Sequence, residues 1–386
     1  MISRQEILAW LHENNEDRLE ELWAETDRVR QLHVGPEVHL RGLLEISNRC
    51  IRRCGYCGLN IGNKSVTRYR IPHDELLQCA GEAASYGYGT VVLQAGEDPG
   101  LDADSIANLV RDIKRNYDLA VTLSLGERTE EEFKLWKEAG ADRYLLRFET
   151  SNDELFHKVH PPLPSNDGTP PRSRIDILRS LREIGYEIGS GVMIGLPGQT
   201  YDDLANDILL FKDLDLDMIG VGPFISHPTS QLGREADDAS ESNGRVFLSG
   251  ESEPTAGSER PSKVPSEELM VYKTMALTRI VCPESNIPST SALATLNLET
   301  GRELGLARGA NVVMPNLTPA EYRIHYEIYP NKACIRETAE KCHHCMGGRI
   351  RSIGRVPGVG HGGRLRGDSP QQRSAQDTDN NNLPLL

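Results

Sequence analysis

From Glu37 to Met314 the chain alternates short apolar, β-branched runs with stretches of helical periodicity, and this rhythm restricts it to an α/β architecture. Strands are expected at Val38–Ile46, Thr90–Ala95, Ala120–Leu125, Arg143–Phe148, Glu187–Ile194, Met218–Phe224, Asn286–Thr295 and Ala310–Met314. Helices are expected at Pro72–Tyr86, Asp102–Tyr117, Thr129–Ala139, Arg174–Ile184, Tyr201–Leu214, Glu267–Val281 and Leu298–Ala307. Eight strands with helices between them predict a complete (β/α)8 barrel, whose functional groups gather at the C-terminal strand ends.

Around that barrel, expected over 36–318, lie an N-terminal helical cap over 1–35 and a C-terminal extension over 319–366. The segment 231–266, rich in Ser, Glu, Gly and Pro, predicts a disordered insertion after the sixth strand, and 367–386 a disordered tail. No apolar run reaches the length of a membrane span and no signal pattern opens the chain, so a soluble protein is expected. A net charge of -14 argues against a nucleic-acid partner, although 349–366 is locally basic with glycines between the charges. The 8 cysteines form two clusters and two singletons, which suits metal binding in a reducing compartment better than a disulfide framework.

The first expected strand runs into SNRCIRRCGYCGLN, where Cys50, Cys54 and Cys57 stand in C-x3-C-x2-C spacing. Three thiolates so close reach three corners of one [4Fe–4S] cube, with no fourth cysteine nearby, and the open iron can bind a small molecule. A zinc knuckle is the plainer alternative, but it needs a C-x2-C partner downstream, and none sits at the expected distance. The spacing resembles that of radical S-adenosylmethionine (SAM) enzymes, down to Tyr56 before the third cysteine.

Other motifs fall at strand ends. Gly96 and Glu97 combine close backbone approach with a carboxylate that can accept from an ammonium group, though a turn explains them equally well. Arg147 and Glu149, two apart on a strand, can face the barrel mouth together and bind opposite ends of a zwitterion, or form a salt bridge. The glycines of GVMIGLPGQT suit packing against an adenosyl group or a turn into the next helix. Cys334, Cys342 and Cys345, with His343 and His344, can hold zinc or a second iron–sulfur cluster. Cys79 and Cys282 read as packed residues.

The stretches VGPEVHLRGLLEISNRC, RRCGYCGLN, VVLQAGEDP, VTLSLGE, KEAGADRYLLRFET, IGLPGQT, IGVGPFI and ANVVMPN together resemble the HydE family of [FeFe]-hydrogenase radical SAM maturases, in the group that includes biotin synthase and methylornithine synthase. The resemblance runs from about Val34 to Cys345 and implies a radical SAM (β/α)8 barrel. It implies that Cys50, Cys54 and Cys57 ligate a [4Fe–4S] cluster and that Gly96, Glu97, Thr122, Glu149, Arg174 and Tyr322 contact SAM. It further implies that Arg147, Thr290 and Ser291 line the substrate end, and that Cys334, Cys342 and Cys345 hold an accessory cluster, [2Fe–2S] or [4Fe–4S]. The implied substrate is a small iron complex carrying cysteine, carbon monoxide and cyanide, received from a partner radical SAM maturase. A GTPase scaffold protein and an electron donor such as ferredoxin or flavodoxin are the other implied partners. The implied location is an anaerobic or reducing cytoplasm, or a plastid or hydrogenosome in a eukaryote. Phe148, where the family carries histidine, departs from the pattern and is expected to alter substrate contacts. A methylornithine synthase-like enzyme and a non-catalytic iron–sulfur carrier are the alternatives.

Overall fold

The computed structural model describes residues 2–163, 171–235, 263–364 and 366. Most of the expected insertion and the expected tail lie outside them. Within them the alternation is realised as a curled parallel sheet in the order β6-β5-β4-β3-β2-β1-β7. Its strands are β1 (Glu37–Ser47), β2 (Thr90–Ala95), β3 (Ala120–Ser124), β4 (Arg143–Leu145), β5 (Glu187–Ile194), β6 (Met218–Pro223) and β7 (Val312–Val313). Central residues such as Val91, Val92 and Leu93 are wholly buried, as in a sheet covered by helices.

The covering helices include α3 (His73–Ser85), α4 (Ala103–Asn116), α5 (Glu130–Glu138), α7 (Arg174–Ile184) and α8 (Tyr201–Asp213). Asp102 accepts from the backbone N–H of Ser105 and starts α4, which buries Ile106, Leu109, Val110 and Ile113. Thr129 and Glu132 form a capping box at the start of α5.

Several expectations are corrected. The strand expected at Asn286–Thr295 is reduced to single parallel bridges, Met218↔Asn286 and Pro288↔Val312. Pro288 has no N–H to extend the ladder, and Thr290 instead caps a helix, Ser291–Leu296, by accepting from Leu293. The fourth strand ends at Leu145 rather than Phe148, because Leu146 bonds Gly189 whereas Glu149, at φ 63°, bonds Gly191. Three residues therefore oppose two, a bulge that re-aims the side chains. The ends of the expected insertion are ordered: Gln231–Glu235 is helical, and Lys263 bridges Thr200. The helix Asp153–Val159, called α6 here, and the helix Ala339–Ser352 were not foreseen.

The N-terminal helices α1 (Arg4–His12) and α2 (Glu16–Val34) pack on α8 and on the helix Glu268–Val281. Buried Arg30 of α2 donates to the carbonyls of Gly35, Glu37 and Ala310 at the sheet's lower edge. The base itself is crossed by the C-terminal segment 356–364. Its Val356–Pro357 (β8) pairs with Glu37–Val38, and the chain then passes under the starts of the other strands. His361 O accepts from Thr90 and Arg143, Gly362 O accepts from Arg41 and Asn286, and Arg364 reaches Asp215 at 2.5 Å. Gly89 permits this crossing, since a Cβ there would lie 1.6 Å from Gly360 O. The basic, glycine-spaced stretch thus closes the floor. Among the described residues no helix is long and apolar enough to cross a membrane.

Candidate active site

The cysteine loop has no regular structure of its own, so its backbone groups must find partners elsewhere. Ile51 N–H donates to Glu97 O after β2, Gly55 N–H to Val159 O at the end of α6, and Gly58 N–H to Ile328 O in the C-terminal extension. In turn, Gly55 O and Tyr56 O accept from Leu232 and His227 in the chain after β6. Tyr56 packs with Leu155, Val159, Met193, Leu196 and Leu232 in a small apolar cluster beside the main core. Four parts of the fold therefore hold this loop at the C-terminal ends of the strands, around a cavity of about 310 Å³.

Cys50, Cys54 and Cys57 all line that cavity. Burial pushes Cys57 up to about 12, Cys50 above its ordinary value and Cys54 well above it, so the bare thiols stay protonated. The N–H groups of Arg52 and Leu59 point at Cys50 Sγ and Cys57 Sγ, each at 3.4 Å, as donors to a thiolate would. The three Sγ atoms do not all fall within 4.8 Å of one another, so they are not gathered about a single ion.

Beside the cysteines lies a buried lattice of four charges. Arg52 contacts the carboxylates of Glu97 and Glu127. Arg174, first residue of α7, donates from Nε to Glu127 at 2.9 Å and lies 3.6 Å from Glu97. Its remaining nitrogens donate to Arg147 O at 2.6 Å and to His160 Nε2 at 2.6 Å. Burial, with the neighbouring Arg174 and Arg52, drives His160 down to about 2, so its neutral ring accepts from Arg174. Burial raises Glu97 and is also the largest influence on Arg174, where it works against the charge, but Glu127, Tyr56 and Glu97 together outweigh it and hold Arg174 above its usual value.

Arg147, Glu149 and Thr290 line the same cavity. Arg147 Nε donates to Glu149 at 3.1 Å, so the zwitterion-binding pair is also an ion pair. Gly96 lines the cavity too. Sequence reasoning missed Arg52, Glu127 and His160, and also Tyr326, Ile328 and Tyr329, which bring the extension into the cavity wall. A charged residue between two clustered cysteines was the available signal for Arg52; none marked the extension residues.

Three expected site residues lie elsewhere. Thr122 faces the inside of the curled sheet one pleat below the cavity, with Arg41 and Arg143, and Ser124 lines the cavity in its place. Ser291 is the first residue of the helix that Thr290 caps, so its neighbour Ala292 faces the cavity. Tyr322 packs on Tyr69 at 5.1 Å and donates to Glu75 of α3, outside the cavity. Phe148 turns away as well, its ring tilted against that of Phe211 with centroids 5.8 Å apart.

In the second cysteine group, Cys342 is buried and Cys345 exposed, one helical turn apart on Ala339–Ser352. Cys334, at φ 61°, accepts from Arg302 at 3.7 Å, and the neighbouring Cys342 thiol with that guanidinium holds it below its ordinary value. His343 turns toward the barrel, stacking on Tyr86 and meeting Tyr88 OH at 3.2 Å. Cys79 and Cys282 are buried, as expected.

Residues 44–211 match the Radical SAM superfamily. The chain is 44% identical over 347 residues, 90% of its own length and 89% of the relative's, to the [FeFe] hydrogenase maturase subunit HydE of Thermotoga maritima. It is 24% identical, over 84% of its length and 81% of the relative's, to 3-methylornithine synthase of Methanosarcina acetivorans. Among solved structures, methylornithine synthase superposes with a TM-score of 0.73 at 21% identity, covering 93% of this chain and 94% of that one.

Proposed function

The chain belongs to the radical SAM superfamily and, within it, to the family of the HydE [FeFe]-hydrogenase maturases, and from that premise we propose that its cavity holds a [4Fe–4S] cluster and SAM and acts on a small cysteine-bearing iron complex carrying carbon monoxide and cyanide. The observation that carries this reading is the convergence of Cys50, Cys54, Cys57, Glu97, Glu149 and Arg174 on one cavity at the strand ends.

Cys50, Cys54 and Cys57 would hold the cluster, and SAM would lie against Gly96 with its ammonium toward Glu97 and its carboxylate toward Arg174. When bound, the cluster and SAM supply an electron and a cleavable carbon–sulfur bond, hence a 5′-deoxyadenosyl radical. The chain's own part is to orient and to exclude water. Arg174 is preorganised by three acceptors, and the donors aimed at Cys50 and Cys57 stabilise thiolates as their protons leave. Arg147 and Thr290 line the substrate end, where Arg147 presents a fixed positive charge to an anionic iron complex. Tyr326, Ile328 and Tyr329 wall that end off, and the strap 356–364 covers the opposite end.

The bridges at Asn286 and Pro288 span the gap between β6 and β7, and we read them as the closure of a complete (β/α)8 barrel. In the same reading Cys334, Cys342 and Cys345 hold an accessory iron–sulfur cluster, a partner radical SAM maturase delivers the substrate, and a GTPase scaffold receives the product. A ferredoxin or flavodoxin would supply the electron, in a reducing cytoplasm or an anaerobic organelle.

The test is anaerobic reconstitution with iron and sulfide, reduction with dithionite, and assay of 5′-deoxyadenosine with and without the partner's iron–cysteine product. Cleavage stimulated by that product is expected. Cleavage without stimulation would return the substrate to the amino acids of a methylornithine synthase-like reaction, and a loaded cluster with no cleavage would favour a carrier.

A further inference from the structure

Glu127 stands behind the cavity wall rather than in it. Its carboxylate contacts both Arg52 and Arg174, and its own N–H donates to Glu97 Oε1 at 3.2 Å. It lines a neighbouring cavity of about 400 Å³, whereas Arg52 and Arg174 line both cavities and form the partition. The preceding Gly126, at φ 79°, lets the chain fold this close: a Cβ there would lie 1.9 Å from Glu97 Cγ.

We propose that Glu127 is a positioning residue for SAM, setting the spacing between Glu97, which faces the ammonium, and Arg174, which faces the carboxylate. This rests on the reading of the site given above. One side chain that touches Arg52 and Arg174, and whose backbone touches Glu97, ties the two ends of an amino-acid group to one rigid frame. Arg174 spends one N–H each on Glu127, Arg147 O and His160, which leaves two of its five for a ligand in the cavity. Two carboxylates and two guanidiniums sum to zero, matching the zero net charge of the amino-acid end of SAM.

A divalent ion does not compete for this place. Glu97, Glu127 and His160 lie within 4.8 Å of one another, but both carboxylates already bind guanidiniums and His160 Nε2 accepts from Arg174.

The experiment uses the full chain, reconstituted with its cluster, and measures binding of SAM and of decarboxylated SAM by equilibrium dialysis, with the electron paramagnetic resonance change on binding as a second readout. Glu127→Gln should weaken SAM binding by about ten- to a hundredfold, the range for a hydrogen bond to a charged group. Decarboxylated SAM should lose much less, iron content should hold, and KM for SAM should rise more than kcat falls. Glu127→Asp should recover part of the preference for SAM, and it decides the matter if the Gln variant does not fold. Equal weakening for both ligands, or none, overturns the role. A wild-type chain that holds its cluster yet binds no SAM overturns the reading beneath it, and this role with it.

Discussion

Lys332 of the C-terminal extension forms a buried ion pair with Glu45 of β1, the side chains being 4% and 0% exposed. Asn316 donates to the other carboxylate oxygen at 3.0 Å, and Lys332 also donates to Tyr326 O at 3.3 Å. Glu45 lies on the strand that leads into the cysteine loop, and Lys332 stands two residues before Cys334. The pair therefore locks the extension, and with it Tyr326, against the strand that presents the cluster ligands. Lys332→Met should cost about 3–5 kcal/mol, because it leaves a buried carboxylate without its counter-charge. Adding Glu45→Gln should return most of that loss in urea unfolding. A double variant as unstable as the single would refute the pairing argument.

Cys54 lies in the cavity wall and Cys342 in the distant second group. Cys54→Ala should abolish SAM cleavage, and cleavage that survives would remove the cluster assignment. Cys342→Ala should lower iron content while leaving most cleavage in place. Loss of all cleavage in that variant would contradict an accessory role.

Asp207 of α8 is fully buried and accepts from Ser151 N–H at 2.5 Å and from Gln199 at 3.5 Å, with Asp203 nearby. Burial raises its pKa to about 7, against about 4 in an unfolded chain. Between those values the native state holds a proton that the unfolded state has released. Stability from this group is therefore full below about pH 4 and falls as pH rises toward about 7. Asp207→Asn should flatten the fall, seen as a urea midpoint that varies less between those limits than in the wild type. An unchanged slope would show that other groups cause it.

Gly89 and Gly360 meet where the strap passes beneath the sheet. Gly89→Ala should lift the strap, since overpacking costs about 1–3 kcal/mol and the strap can yield where the sheet cannot. Trypsin should then cut at Arg355, Arg364 or Arg366 about tenfold faster, as mass spectrometry of a limited digest would record. An unchanged digest would mean that the sheet, not the strap, accommodates the methyl group.

Local chemistry was enough to read β2 and β5 to the residue, the caps at Asp102 and Thr129, and the cysteine loop after β1, because periodicity and capping act within a few residues. Cys50, Cys54, Cys57 and Glu97 likewise stood out in motifs, whereas Arg174 entered only through the family resemblance. What tertiary structure decided was orientation and closure. Thr122 and Ser124 share a face, and only their height in the sheet sends the second to the cavity. Tyr322 is four residues from Tyr326, yet its short helix turns it onto Tyr69 while Tyr326 enters the wall. The basic, glycine-spaced C-terminal stretch gave no sign of being the floor, because its partners Arg41, Thr90, Arg143 and Asp215 lie 149 to 321 residues away. Buried charges and backbone groups must be satisfied by whatever the fold brings near, and that choice is made in three dimensions.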